Sequence, residues 1–193
     1  MTKNRLEAFS DGVLAIIITI MVLELRPPSG ISFASLRPLI PKILSYVMSF
    51  AFIGIYWNNH HHLLHTVKKV NGGILWANLN LLFWLSLIPF TTAWMGEHGF
   101  AGPPVALYGI VLLMAAVAYY VLVRFILYRH GKDSVLARAI GNDFKGKISV
   151  VIYALAIPCA IIFPLMATVL YTLVALMWLM PDMRIERLLE KEE

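Results

Sequence analysis

The feature that most constrains this chain is a series of apolar runs, most of them close to the thickness of a lipid bilayer. They cover residues 6–25, 39–63, 74–95, 105–128, 148–162 and 164–180. A helix needs about 20 apolar residues to cross roughly 30 Å of hydrocarbon. The apolar excess lies in these runs rather than in amphipathic stripes, and 60% of the 193 residues are hydrophobic against 14% charged. A soluble fold of this size cannot hide so much apolar surface. Soluble enzyme, disordered chain and nucleic-acid module are therefore excluded. The expected class is an all-α integral membrane protein with six transmembrane helices per chain.

The breaks between the runs are chemically distinct. Arg26-Pro27-Pro28-Ser29-Gly30 ends the first, Lys68-Lys69-Val70-Asn71-Gly72-Gly73 follows the second, and Gly96 to Pro104 separates the third and fourth. Residues 129–147, rich in charge and glycine, separate the fourth and fifth. Pro158 and Pro164 bracket the last break. A single helix over 148–180 would reach roughly 50 Å, too long for one crossing, so two short, closely packed helices are expected. Residues 1–181 then make one six-helix transmembrane domain, and 182–193 a short charged cytoplasmic tail. Cys159 is the single cysteine, which leaves no disulfide framework or cysteine metal site. The first run follows Arg5 directly with no small-residue cleavage site before Arg26, so a retained span is expected rather than a cleaved signal.

Six spans put both termini on one side. That side carries Lys3, Arg5, Lys68, Lys69, Arg129, Lys132, Arg138, Lys145, Lys147, Arg184, Arg187 and Lys191, whereas the other has only Arg26, Arg37 and Lys42. The positive-inside bias places both termini in the cytoplasm, and the net charge of +5 belongs to these loops. Trp94 and Trp178, near span ends, suit interface belts. No internal duplication is visible, so a central pore requires several copies of the chain around a symmetry axis.

The first run is the most informative. Its unbroken apolar part, Gly12 to Leu23, is too short to span alone, so the helix must carry Ser10 and Asp11 into the membrane zone and Glu24 near the far end. A carboxylate deep in a bilayer costs about 2.5–3.5 kcal/mol on insertion scales, so Asp11 needs protein partners or water. With Ile16 as zero and about 100° per residue, Phe9, Gly12, Ile20 and Leu23 fall within about 40°, and Thr19 flanks at about 60°. Glu7 and Asp11 lie about 180° and 140° away. One face is an apolar stripe beside a threonine; the other stacks carboxylates.

Two like charges four residues apart repel, which calls for a donor-rich neighbour. The second run ends in Tyr56-Trp57-Asn58-Asn59-His60-His61-His62 and reaches the same depth. Asp11, with Ser10, is expected to engage Trp57, Asn59, His60 or His61, turning the apolar stripe away from the second span. His61 and His65 have the i,i+4 spacing of helical zinc ligands. Without a His-Glu-x-x-His string or a cysteine pair, a hydrogen-bonded or interfacial role is preferred, and no metal site is expected.

The string Arg5-x-x-x-Phe9-Ser10-Asp11-Gly12-Val13-x-Ala15-Ile16, followed by Thr19 and Leu23-Glu24, resembles the opening helix of the lysosomal potassium channel family, transmembrane protein 175. Tyr56-Trp57-x-Asn59-His60-His61 is similar to that family's second signature. A single six-span unit is similar to its prokaryotic members, whereas animal members carry two. The resemblance implies a potassium-selective cation channel of the cell membrane, a homotetramer assembled around a central pore lined by the first helix. Potassium is the permeant ion and no cofactor is implied. By position, Ile16 becomes the main constriction, Ile20 and Leu23 successive layers, and Thr19 a source of hydroxyls. Arg5, Ser10, Asp11, Trp57, Asn59, His60 and His61 match the network behind the pore helix, although ideal geometry sets Arg5 near the pore side.

Two other classes compete. A proton-coupled secondary transporter would use Asp11, Glu24 and the second-span histidines as a relay. Transporters commonly show internal repeats and broken helices at the midplane, whereas here the middle of the first run is aliphatic apart from Thr19. An intramembrane enzyme would need a catalytic string, and no Gly-x-Ser-x-Gly, His-Glu-x-x-His or phosphate-cradling loop is present.

Overall fold

The computed structural model describes residues 2–67, 69–130 and 144–179, and every regular element among them is helical. In chain order they are α1 (Lys3–Leu23), a 3-10 segment (Phe33–Leu39), α2 (Ile40–His65), α3 (Gly72–Ser86), α4 (Ile88–Glu97), α5 (Gly102–His130), α6 (Phe144–Ile162) and α7 (Pro164–Leu179). Five stretches are long and apolar enough to cross a membrane, and α7, at 16 residues, is a shorter sixth. The chain is an all-α membrane protein with the expected count of six helical crossings. The tail expected at 182–193 and most of the 129–147 linker lie outside the described residues.

The third apolar run is not one helix. It breaks at Leu87 into α3 and α4, which together still make one membrane-length stretch, Gly72–Glu97. The cause is Pro89, which has no amide to donate back along the ladder and whose ring crowds the preceding turn. Leu87 N–H turns instead to Trp84 O at 3.2 Å. Nearby hydroxyls bond to carbonyls at the junction, Thr92 Oγ1 donating to Ile88 O at 2.7 Å and Ser86 Oγ to Phe83 O at 2.7 Å. Hydroxyl side chains commonly satisfy backbone groups at such interruptions inside membranes. The fifth and sixth runs form the expected pair. Pro158 lies within α6, Phe163 links the two, and Pro164 starts α7.

Helix α5 is the central post: α3 and α6 pack along it, and α7 packs mainly on α6 while also touching α5 and α2. Close approach there depends on small residues, which let membrane helices pack backbone to backbone. Gly109 on α5 is one example: a Cβ at that position would overlap the hydroxyl of Tyr171 on α7. Tyr171 is fully buried and its OH donates to Val105 O at 3.4 Å. Gly96 on α4 is another, since a Cβ there would stand 2.9 Å from Lys42 Cα on α2. Beside this contact, Ser49, Thr92 and Tyr108 form a buried hydroxyl cluster, with Ser49 Oγ 2.6 Å from Thr92 Oγ1 and 3.0 Å from Tyr108 OH. Trp178 faces the bundle rather than only an interface belt, its Nε1 donating to Ser149 Oγ at 2.9 Å.

Candidate functional site

Helix α1 packs against α2, α3 and α4 through a single ridge. Leu6, Ser10, Leu14, Ile17 and Met21 are buried, with spacings of three and four residues that keep them on one side. The opposite side carries Phe9, Gly12, Ile16, Thr19, Ile20 and Leu23, all exposed. Ile16 is 58% exposed, Ile20 44% and Leu23 76%. A Cβ added at Gly12 would meet nothing within 4 Å. Thr19 satisfies its own hydroxyl by donating to Ala15 O and Ile16 O, each at 3.0 Å. The apolar stripe read from the helical period is therefore the face that the subunit leaves uncovered.

The buried ridge is fixed by polar ties confined to the first turns of α1. Trp57 Nε1 donates to Asp11 Oδ1 at 3.0 Å. Ser10 is fully buried, and its Oγ donates to Leu6 O at 2.9 Å while accepting from Asn78 Nδ2 at 3.0 Å. Asn78 Oδ1 lies 2.7 Å from His60 Nε2. The directions are mutually determined. Since Ser10 donates to a carbonyl, it must accept from the Asn78 amide, so Oδ1 is the acceptor and His60 carries its proton on Nε2. His60 Nδ1 then presents a bare lone pair, buried and unpartnered. Lys3 Nζ adds a bond to His65 O at 3.0 Å, and Glu7 Oε1 stands 3.1 Å from His61 Nδ1.

The residues singled out from sequence divide accordingly. Ser10, Asp11, Trp57, His60 and His61 gather where α1 meets α2. The Asn59 side chain turns back on its own helix, Nδ2 donating to Ile55 O at 2.8 Å, while the backbone carbonyl of Asn59 accepts from Tyr119 OH at 3.2 Å. Arg5 is exposed. Two contributors were not among the residues assigned to the network from sequence, although Glu7 stood on the acidic face that calls for a donor-rich neighbour. Glu7 meets His61, and Asn78, on α3, is the link through which Ser10 and His60 are joined. The available signal for Asn78 was an amide inside an apolar run, shared with Asn80 two residues on, which a membrane helix seldom carries without a partner. Glu7, His61 and His65 also bring one possible ligand atom each to within 4.8 Å of one another.

Residues 5–89, which hold all of this junction but Lys3, match the family described as endosomal/lysosomal potassium channel TMEM175. The chain is 59% identical over 191 residues to a potassium channel of Chryseobacterium sp. (strain P1-3), covering 99% of this chain and 100% of that one. It is 32% identical over 116 residues to the human endosomal/lysosomal proton channel TMEM175, covering 54% of this chain and 23% of the human one. Its fold is similar to the crystal structure of a lysosomal potassium-selective channel TMEM175 homolog from Chamaesiphon minutus. There the TM-score is 0.81 at 27% identity, covering 93% of this chain and 97% of that one. A full-length relative at this identity, the family match over α1 to α3 and the shared fold together place the chain in the TMEM175 family of ion channels, which are not enzymes.

Proposed function

We infer that the chain is a potassium-selective channel in which four copies surround a pore lined by α1. The observation that carries this reading is the uncovered apolar stripe of Phe9, Gly12, Ile16, Ile20 and Leu23 opposite a buried ridge. Such a stripe also suits lipid. Its position within the family motif, on the helix whose other side is anchored by that motif's polar residues, favours the symmetry axis. On this reading Ile16 forms the narrowest ring, Ile20 and Leu23 form further rings, and Thr19 offers hydroxyl oxygens beside them. The protein sits in the cell membrane with both termini in the cytoplasm, as the lysine and arginine distribution favours.

The chemistry of such a passage differs from a carbonyl filter. Rings of aliphatic side chains close by dewetting and open with a small dilation or rotation of the helices. They supply no ligands to replace lost water, so the ion that releases its hydration shell more readily passes better. Potassium is larger and less tightly hydrated than sodium, which gives a preference of moderate size. No resident cofactor is needed.

The alternative is a proton-coupled transporter using Asp11, Glu24 and the histidines. Asp11 lies well inside α1 and Glu24 follows its last residue, with a largely aliphatic stretch between them, which leaves a proton relay without stepping stones. Purified protein in planar bilayers under opposed potassium and sodium gradients tests the choice. A reversal potential near the potassium equilibrium value is expected, and flux that occurs only with stoichiometric proton movement would establish the transporter.

A further inference from the structure

One cluster at the N-terminal end of α1 is not used by the conduction pathway described above. His61 and His65 stand one turn apart on α2 with ring centroids 5.0 Å apart. Glu7 reaches them from α1, 3.1 Å from His61 Nδ1. We propose that Glu7, His61 and His65 form a site for a divalent transition-metal ion of the zinc type, which bridges α1 and α2.

The donor set decides the class of ion. Two imidazoles and one carboxylate suit zinc and its first-row neighbours, whereas magnesium and calcium prefer oxygen ligands throughout. Three protein ligands with a fourth position left to water is the arrangement of an open zinc site. Bond lengths of about 2.0–2.2 Å set tetrahedral ligand atoms roughly 3.4 Å apart. The Glu7–His61 pair already meets that spacing, and the three ligand atoms lie within 4.8 Å. The remaining closure is a change of rotamer, which His65 can make because it is exposed at the last residue of α2. The i,i+4 histidines alone supply two ligands, and neither a His-Glu-x-x-His string nor a cysteine pair adds a third from sequence. The third comes from a helix more than fifty residues earlier, so only the fold reveals it.

The surrounding charge permits a dication. Asp11 sits one turn beyond Glu7 on α1, and both are partly buried. A cation that approaches from α1, Lys3, has its Nζ engaged by the backbone oxygen of His65 rather than by its ring. His61 is also held in place by stacking on Trp57, with ring centroids 6.2 Å apart and planes within 25°. An ion at this point adds a bond between the two helices at their polar junction. The binding itself is independent of the pore assignment; an effect on conduction rests on it.

The test is calorimetric titration of zinc chloride into the purified full-length protein in detergent. One saturable site per subunit is expected, with His65→Ala and Glu7→Gln each weakening zinc by about tenfold or more. His65→Ala keeps the backbone carbonyl that Lys3 binds, and Glu7→Gln provides an independent variant should the first fold poorly. His62→Ala, which removes a ring 5.8 Å from His61 but outside the ligand set, is expected to leave the affinity unchanged. Equal zinc binding by the wild type and both ligand variants would overturn the site, as would the absence of saturable binding to the folded wild type. In proteoliposomes, zinc on the face of the α1 N-terminus is expected to reduce potassium flux in the wild type and not in His65→Ala. Saturable zinc binding in a protein that never conducts potassium would leave this site standing and sink the pore reading instead.

Discussion

The indole of Trp57 donates to the carboxylate of Asp11 across the α1–α2 junction at 3.0 Å. Asp11 is partly buried and Trp57 is 46% exposed, so the bond lies at the rim of the packed ridge rather than inside it. A hydrogen bond to a charged group contributes about 1.5–3 kcal/mol, and one this open to solvent stands at the lower end. Asp11→Ala and Trp57→Phe are therefore expected to lower the fraction of assembled protein on size-exclusion chromatography while leaving unit conductance of the surviving channels unchanged. Normal assembly with altered selectivity would contradict a clamping role.

On the proposed reading Ile16 forms the narrowest ring of the pore. Ile16→Asn replaces an aliphatic ring with amides that hold water, so potassium and sodium currents both rise and their ratio approaches unity. Bilayer recordings with each cation in turn provide the measurement. Currents identical to wild type would mean that Ile16 faces lipid.

Asn78 joins three helices through two bonds, to Ser10 and to His60. Asn78→Leu strands His60 Nε2 beside an Nδ1 that already has no partner. Each stranded buried group costs about 1–3 kcal/mol. A clear fall in melting temperature in detergent is expected, and His60→Leu in the same chain should recover part of it, because replacing both partners removes the unmet polar demand. Additive losses in that double-mutant cycle would show that the two side chains do not depend on each other.

Gly109 tests the packing of the central post. The hydroxyl of buried Tyr171 occupies the space a Cβ would take, and overpacking of this kind costs about 1–3 kcal/mol. Gly109→Ala should lower the melting temperature without changing ion selectivity, since the contact lies between α5 and α7, away from α1. A melting temperature equal to wild type would show that α7 shifts freely.

The six crossings were legible because bilayer thickness sets the length of each apolar run, and the uncovered stripe because a 3.6-residue period sorts Ile16, Ile20 and Leu23 from Leu14, Ile17 and Met21. The break at Leu87 was not, since a membrane helix tolerates an internal proline when neighbouring hydroxyls satisfy the freed backbone. Asn78 escaped for a different reason: its partners lie 68 and 18 residues away on two other helices, and helical period places side chains only relative to their own axis. The same holds for Trp178, whose location near a span end suited a lipid interface but whose donor reaches Ser149 on α6.

The side-chain hydrogen bonds and ion contacts from α1 to other helices start from Lys3, Glu7, Ser10 and Asp11, and among the described residues none starts from positions 12–24. Beyond Asp11, α1 is held by packing alone, through Leu14, Ile17 and Met21, which are buried against the rest of the bundle. Apolar contacts resist sliding and rotation less than directional hydrogen bonds do, so movement of α1 is expected to be larger at Leu23, about 18 Å beyond Asp11 along the axis, than at Ile16, about 7.5 Å beyond it. On the proposed pore reading, the ring at Leu23 is then softer than the ring at Ile16, although both are aliphatic.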